Sequence, residues 1–123
     1  MKHRLHLQED GIVYVKIIGD GDAETAHEFV RAAERLLMDH RGRKLDAIID
    51  MSESGTSDYE GIKIYRVLFK NPLIGRLAFV QVSESIKVLV VLAIKLKKPN
   101  DVKFFETKAA AQEWLNQYHQ NEQ

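Results

Sequence analysis

The alternation of apolar and polar positions predicts two strands at the start of the chain. Leu5 and Leu7 alternate with polar residues, and the stretch from Ile12 to Ile18 is rich in β-branched side chains, as strands usually are. The turn-forming residues 9–11 separate the two stretches. We therefore expect an antiparallel hairpin here.

Helical spacing follows a break at residues 19–21. With Asp22 as the predicted N-cap, apolar residues from 26 to 37 recur at intervals of three and four, which indicates an amphipathic helix. We expect this helix to end near Gly42, with residues 40–41 in its last turn.

The middle of the chain alternates between strand and helix patterns. The run from Leu45 to Met51 has little polar alternation, which favours a strand covered on both faces. A loop rich in serine, glycine and threonine is expected next, and then a helix from residue 58 to 71 that Pro72 closes. Residues 76–82 predict the following strand.

The last third predicts two more helices around a short strand. Residues 84–97 are apolar over most of their length, and that length favours helix over strand. Residues 102–105 predict a fourth parallel-type strand, followed by a helix with N-cap Thr107 and a polar tail at residues 119–123. The order β-β-α-β-α-β-α-β-α predicts one α/β domain over residues 1–123, with a mixed sheet built from the hairpin and right-handed βα units.

Composition narrows the class of protein. The 123 residues carry 18 basic and 18 acidic side chains and no cysteine, so the sequence predicts neither a nucleic-acid partner nor a disulfide or thiolate site. The chain shows neither a secretory signal nor a run of apolar residues long enough for membrane insertion. A cytoplasmic protein is the expectation.

Several stretches resemble one family. The early IVYVKIIGDGD, the LDAIID that leads into a Ser/Gly segment, RLAFVQVSE and the closing VKFFETKAAAQEWL resemble the SpoIIAA-like or STAS domains. This is the fold of anti-sigma-factor antagonists, in a branch related to Sec14. The resemblance covers nearly the whole chain and implies a non-enzymatic regulatory domain with a kinase-like or sigma-related partner.

The resemblance also implies a site. In the antagonists, a helix opens with an Asp-Ser-Ser-Gly motif whose second serine is phosphorylated. Spacing from Asp50 brings Asp58-Tyr59-Glu60-Gly61 onto that motif, so Asp58 and Gly61 match while Tyr59 and Glu60 replace the serines. The expected partner or ligand site is at Asp50, Ser52, Ser57, Asp58, Tyr59, Glu60 and Gly61, without the phosphoacceptor.

The same residues have a purely structural interpretation. Ser57 as N-cap, with Glu60 three residues later, fits a capping box, in which each side chain bonds the other residue's backbone N–H. We expect this capping box at the helix start. Residues 52–57 are otherwise ordinary turn composition.

Metal and catalytic chemistry are not predicted. His3 and His6 are expected on opposite faces of a strand, and His119 in the tail, so surface histidines are the expectation and no ligand set emerges. Asp20, Asp22 and Glu24 lack the calcium-loop pattern. No serine nucleophile elbow is present, and no catalytic residue or cofactor is predicted.

The apolar run at residues 86–94 is unusual because it lacks a polar face. We rank burial first, with or without a homodimer contact, then the wall of an apolar ligand cavity, and membrane contact last. Two functions follow: a regulatory interaction domain, or a carrier for a small apolar or lipid-like ligand, which kinship to Sec14 also implies. An unrecognised enzyme is the third hypothesis.

Overall fold

A computed structural model describes residues 2–40, 43–94 and 99–121. The elements are β1 (Arg4–Leu7), β2 (Val13–Gly21), α1 (Ala23–Asp39), β3 (Leu45–Ser57), α2 (Tyr59–Phe69), β4 (Ile74–Val80), α3 (Glu84–Ala93), a short 3₁₀ helix (Pro99–Asp101), β5 (Val102–Phe105) and α4 (Lys108–Asn121). The predicted order of strands and α-helices is confirmed.

The five strands form one mixed sheet in the order β1-β2-β3-β4-β5. β1 runs antiparallel to β2, and the other neighbours are parallel. Because the parallel connections all step in one direction along the sheet, a common crossover hand puts α1, α2 and α3 on the same face. α4 covers the other face.

Each face has its own core. One core joins α1, α2 and α3 to the sheet through residues such as Phe29, Leu68 and Leu77. The other packs Ala111 and Leu115 of α4 against Ile12 and Ile48. Alternation along β3 serves both cores, since Ile49 faces the three helices and Ile48 faces α4.

The predicted loop after residue 51 is wrong, because β3 continues to Ser57. The pairing passes from Lys16↔Asp50 to Ile18↔Glu53, with one extra residue on β3, which is a β-bulge. The predicted break at residues 19–21 is part of β2, and Asp20 Oδ1 accepts from Thr56 N at 2.9 Å. Turn-forming residues are held extended here by a partner strand that is distant in sequence.

The predicted ends of all four helices also differ. α2 ends at Phe69 and not at residue 71. α1 ends at Asp39 with His40 as its C-cap, and the predicted residues 41–42 lie outside the described residues. α3 ends at Ala93, so its predicted extension over residues 95–97 lies outside them as well. α4 continues to Asn121, so residues 119–121 are helical and not a tail.

Candidate functional site

The β3–α2 junction, residues 57–61, lies at the carboxyl edge of the sheet. Asp58 is the N-cap of α2, and its Oδ1 accepts from Gly61 N at 2.8 Å. The predicted capping box is therefore wrong. The Ser57 hydroxyl is 3.4 Å from the carbonyl oxygen of its neighbour Asp58, and Glu60 pairs with Lys63 at 3.5 Å on the surface.

A side chain at position 61 would crowd two neighbouring side-chain oxygens. A Cβ there would lie 2.6 Å from Ser57 Oγ and 3.2 Å from Asp58 Oδ1. The glycine that matches the family motif is thus explained by local geometry, because the cap and the preceding serine both approach its backbone.

Asp50 and Ser52 form a separate group. Asp50 accepts from the Tyr14 hydroxyl at 2.8 Å and from Ser52 N at 2.9 Å. Burial alone would raise the pKa of Asp50, but these hydrogen bonds and the charge of Lys16 lower it below its ordinary value. Burial and the bond to Asp50 raise the pKa of Tyr14 to about 12. Five of the seven predicted site residues, 57–61, therefore lie together, and the other two face a different set of partners.

The outer sides of α2 and α3 carry exposed apolar side chains, interrupted on α2 by Glu60 and Lys63. Among the residues that the structure describes, six large apolar side chains are exposed, and five of them lie on these two neighbouring helices. These five, which we call the outer face, are Tyr59 (65%), Val67 (66%), Val88 (61%), Val91 (50%) and Leu92 (43%). The predicted burial of residues 86–94 is thus only half right, since Val90, Ala93 and Ile94 are buried while three of their neighbours are exposed.

An apolar cavity of about 140 Å³ lies beneath the same helices. Its walls come from the sheet and from α1, α2 and α3, and include Ala33, Met51, Tyr65, Phe69 and Leu89. The space is partly open to solvent and its walls are almost entirely apolar. The wall of an apolar cavity is the second-ranked prediction for residues 86–94, and Leu89, Val90 and Ala93 do line this cavity. Periodicity did not predict its size, because it shows which side chains face inward but not how well they fill the space.

His3 is buried, so the expectation that the histidines lie on the surface is wrong for it. It is 2% exposed, and its ring packs edge-on against Phe29. Nδ1 accepts from Ile18 N at 3.0 Å, which leaves the proton on Nε2, 3.4 Å from the Tyr65 hydroxyl. Burial and the charge of Lys2 lower the pKa of His3, against an opposing effect of Glu28. His6 contacts Tyr14 instead, so the predicted opposite faces are confirmed.

His119 was expected in a tail but holds α4 to the sheet. Its Nε2 is 3.0 Å from Oδ2 of Asp46, whose side chain is buried. Asp46 Oδ1 also accepts from Arg76 N at 2.7 Å, and the Arg76 guanidinium stacks on Tyr118 at 3.7 Å. This cluster lies at the amino end of β3, away from the β3–α2 junction.

Over residues 2–40, 43–94 and 99–121, no three histidine or carboxylate side chains converge as a metal site would need. Nor is any helix in that part of the chain long and apolar enough to cross a bilayer. The chemistry available at the junction is a fixed surface charge, an exposed aromatic ring and apolar contact area.

The comparisons with solved structures agree with this fold. The anti-sigma factor antagonist SpoIIAA in its unphosphorylated form is 12% identical with a TM-score of 0.65, and the match covers 93% of this chain and 97% of that one. An uncharacterized protein from Shewanella loihica with a SpoIIAA-like fold is 21% identical with a TM-score of 0.71, covering 92% and 91%. A candidate anti-sigma factor antagonist from Thermotoga maritima is 19% identical with a TM-score of 0.66, covering 92% and 93%.

The amino-acid sequence identifies the family of the chain. No curated protein matches it. The family model described as SpoIIAA-like matches residues 12–116, which is most of the 123-residue chain. The chain therefore belongs to the SpoIIAA-like family and has the STAS fold.

Proposed function

We propose that this protein is a non-enzymatic regulatory domain that binds a protein partner through the β3–α2 junction and the outer face. The observation that carries the proposal is the concentration of exposed apolar side chains on α2 and α3. Exposed apolar side chains concentrated on two neighbouring helices are a feature of surfaces that contact another macromolecule. Family membership supports a regulatory role.

The partner would meet a surface of fixed charge. Tyr59 and Glu60 occupy the positions that the resemblance assigns to the two serines, and Glu60 stands at the position of the phosphorylated one. The Glu60 carboxylate carries about half the charge of a phosphate and has fewer acceptor oxygens. The partner we favour is kinase-like or sigma-related, by family, and a second copy of the chain is the competing occupant.

A pull-down with matched variants tests the proposal. Val91→Asp introduces a charge into the outer face, and Glu60→Arg reverses the charge beside it. Met38→Asp is the control, because Met38 is 68% exposed on α1 and is not one of the five outer-face residues. We expect both test variants to lose one defined partner that the control retains, whereas equal recovery by all three contradicts the proposal.

Sedimentation of the same variants distinguishes the second occupant. A dimer that Val91→Asp dissociates and Met38→Asp leaves intact would assign the outer face to a second copy. A monomer at all concentrations, together with a recovered partner, supports the regulatory assignment.

The cavity supports a second candidate function, a carrier or sensor for a small apolar ligand. Its walls are almost entirely apolar, and a void of similar size in another protein stays dry and binds benzene. Native mass spectrometry of gently purified protein tests this function, since a carrier retains its ligand. Detection of the unliganded mass alone, with no benzene binding by calorimetry, would refute it.

A further inference from the structure

The helices that carry the outer face are also the walls of the cavity. On α2, Tyr65 and Phe69 line the cavity while Val67 faces outward. On α3, Leu89 lines the cavity and Val91 faces outward. Any molecule that fills the cavity therefore touches the inner side of the surface proposed for the partner.

The polar attachments of α2 are long. Asp58 N is 3.4 Å from Gly21 O, and the Tyr65 hydroxyl is 3.4 Å from His3 Nε2. Hydrogen bonds of this kind are usually 2.9–3.0 Å, the distance seen between His119 of α4 and Asp46. The position of α2 over the sheet thus depends mainly on apolar contacts, some of which are missing at the void.

α2 and α3 are linked to each other. Arg66 Nε donates to the Leu92 carbonyl oxygen at 3.3 Å, and both helices contribute side chains to one apolar core. A shift of one helix is expected to carry the other, so the outer face responds as a unit.

We propose that an apolar ligand in the cavity regulates partner binding by fixing the positions of α2 and α3. The proposal rests on the proposed function of the outer face and adds a way in which partner binding there is regulated. The ligand is a hydrocarbon group about the size of a benzene ring, because the cavity is small and almost free of polar wall atoms. Regulation by an internal ligand would take the place of the serine phosphorylation that the resemblance assigns to the positions of Tyr59 and Glu60.

The coupling is measurable without the partner. Since the chain has no cysteine, spin labels can be placed at Val67 or Val91 on the outer face and at exposed Ala109 on α4. A Lys44 and Ala109 pair is the control, because neither residue lies in the layer formed by α1, α2 and α3. We expect saturating benzene to shift or narrow the Val67–Ala109 and Val91–Ala109 distance distributions and to leave the control pair unchanged.

A cavity-filling variant provides an independent test. Ala33 lines the cavity from α1, so Ala33→Leu fills space without altering α2 or α3. It is expected to reproduce the benzene effect and to remove the response to benzene, while the same substitution at Ala109 does neither. The partner recovered by pull-down is expected to bind Ala33→Leu with an affinity changed roughly fivefold or more.

The outcomes separate the two proposals. Unchanged distances while calorimetry shows benzene bound overturn the coupling and leave partner binding intact. Absence of benzene binding, with distances unaffected by Ala33→Leu, overturns the coupling as well. Loss of the partner proposal itself would appear as equal recovery by the Val91→Asp, Glu60→Arg and Met38→Asp variants.

Discussion

The two faces of the sheet differ in how completely they are packed. On the α4 face, Ile12, Ile48, Ala111 and Leu115 are fully buried against one another, and the Asp46–His119 contact fixes the end of the helix. On the other face, three helices cover the sheet but leave a partly open apolar cavity of about 140 Å³, and two of them expose apolar side chains outward.

We expect the α4 face to contribute mainly to stability and the cavity face to contribute to the proposed binding functions. A close-packed face holds one arrangement, because each shift removes many contacts. On a face with a void, small helix movements remove fewer contacts and therefore cost less free energy. The void also has room for a ligand. The sheet thus has one closely packed face and one face that leaves an apolar cavity.

The largest expected contrast comes from leucine truncations. Leu115→Ala on the α4 face is expected to lower the free energy of unfolding by roughly 3 kcal/mol, the typical cost of a fully buried leucine. Leu89→Ala at the cavity wall is expected to cost less than about half of that, because Leu89 is only half-buried and faces a void. Urea unfolding measures both, and equal costs would contradict the comparison.

Replacing an alanine by leucine is expected to change the free energy of unfolding in opposite directions on the two faces. Ala111→Leu is expected to destabilise the protein by roughly 1–3 kcal/mol, since the site has no space. Ala33→Leu is expected to stabilise it by up to about 1 kcal/mol by filling the cavity. Thermal unfolding of both variants is the measurement, and a destabilised Ala33→Leu would show that the void cannot accept added volume.

The helix starts sharpen the comparison on a smaller scale. Asp58→Ala at the cavity-side helix α2 is expected to cost about 1 kcal/mol, because it removes the N-cap. Ser57→Ala is expected to be nearly neutral. The reverse ranking in urea unfolding would restore Ser57 as the cap.

Lowering the pH is expected to lower the free energy of unfolding through His3. This is the smallest of the four expected effects. The pKa of His3 is lowered in the folded state, so below the ordinary value of 6.5 the unfolded chain takes up a proton that the folded protein does not. Stability attributable to His3 therefore falls as the pH falls through 6.5. His3→Phe is expected to lose this component of the pH dependence, whereas the exposed control His27→Gln is expected to keep it.

Much of the fold was predictable, because hydrophobic periodicity is a local property. The element order, the Asp22 and Thr107 caps and the final parallel strand are confirmed. The candidate site stays a prediction, and what the sequence placed correctly there is the start of α2 but not its cap. Ser57 and Asp58 both fit an N-cap by composition, and only the backbone conformation at Asp58, φ −78° and ψ 172°, decided between them.

Contacts between residues distant in sequence account for the errors. Residues 52–57 have turn composition but pair with β2, and His3 is buried because Phe29 and Tyr65 enclose it. His119 is ordered by Asp46, 73 residues earlier. No local pattern contains these partners.

The sequence by itself determined the α/β class, the family resemblance and the substitution of Tyr59 and Glu60 for two serines, because these depend on residue identity and short-range spacing. Tertiary structure decided where space was left unfilled and which side of α3 remained exposed. The physical reason is that packing depends on how side chains from several helices and strands fit together. A one-dimensional pattern does not specify how completely they fill the space between them.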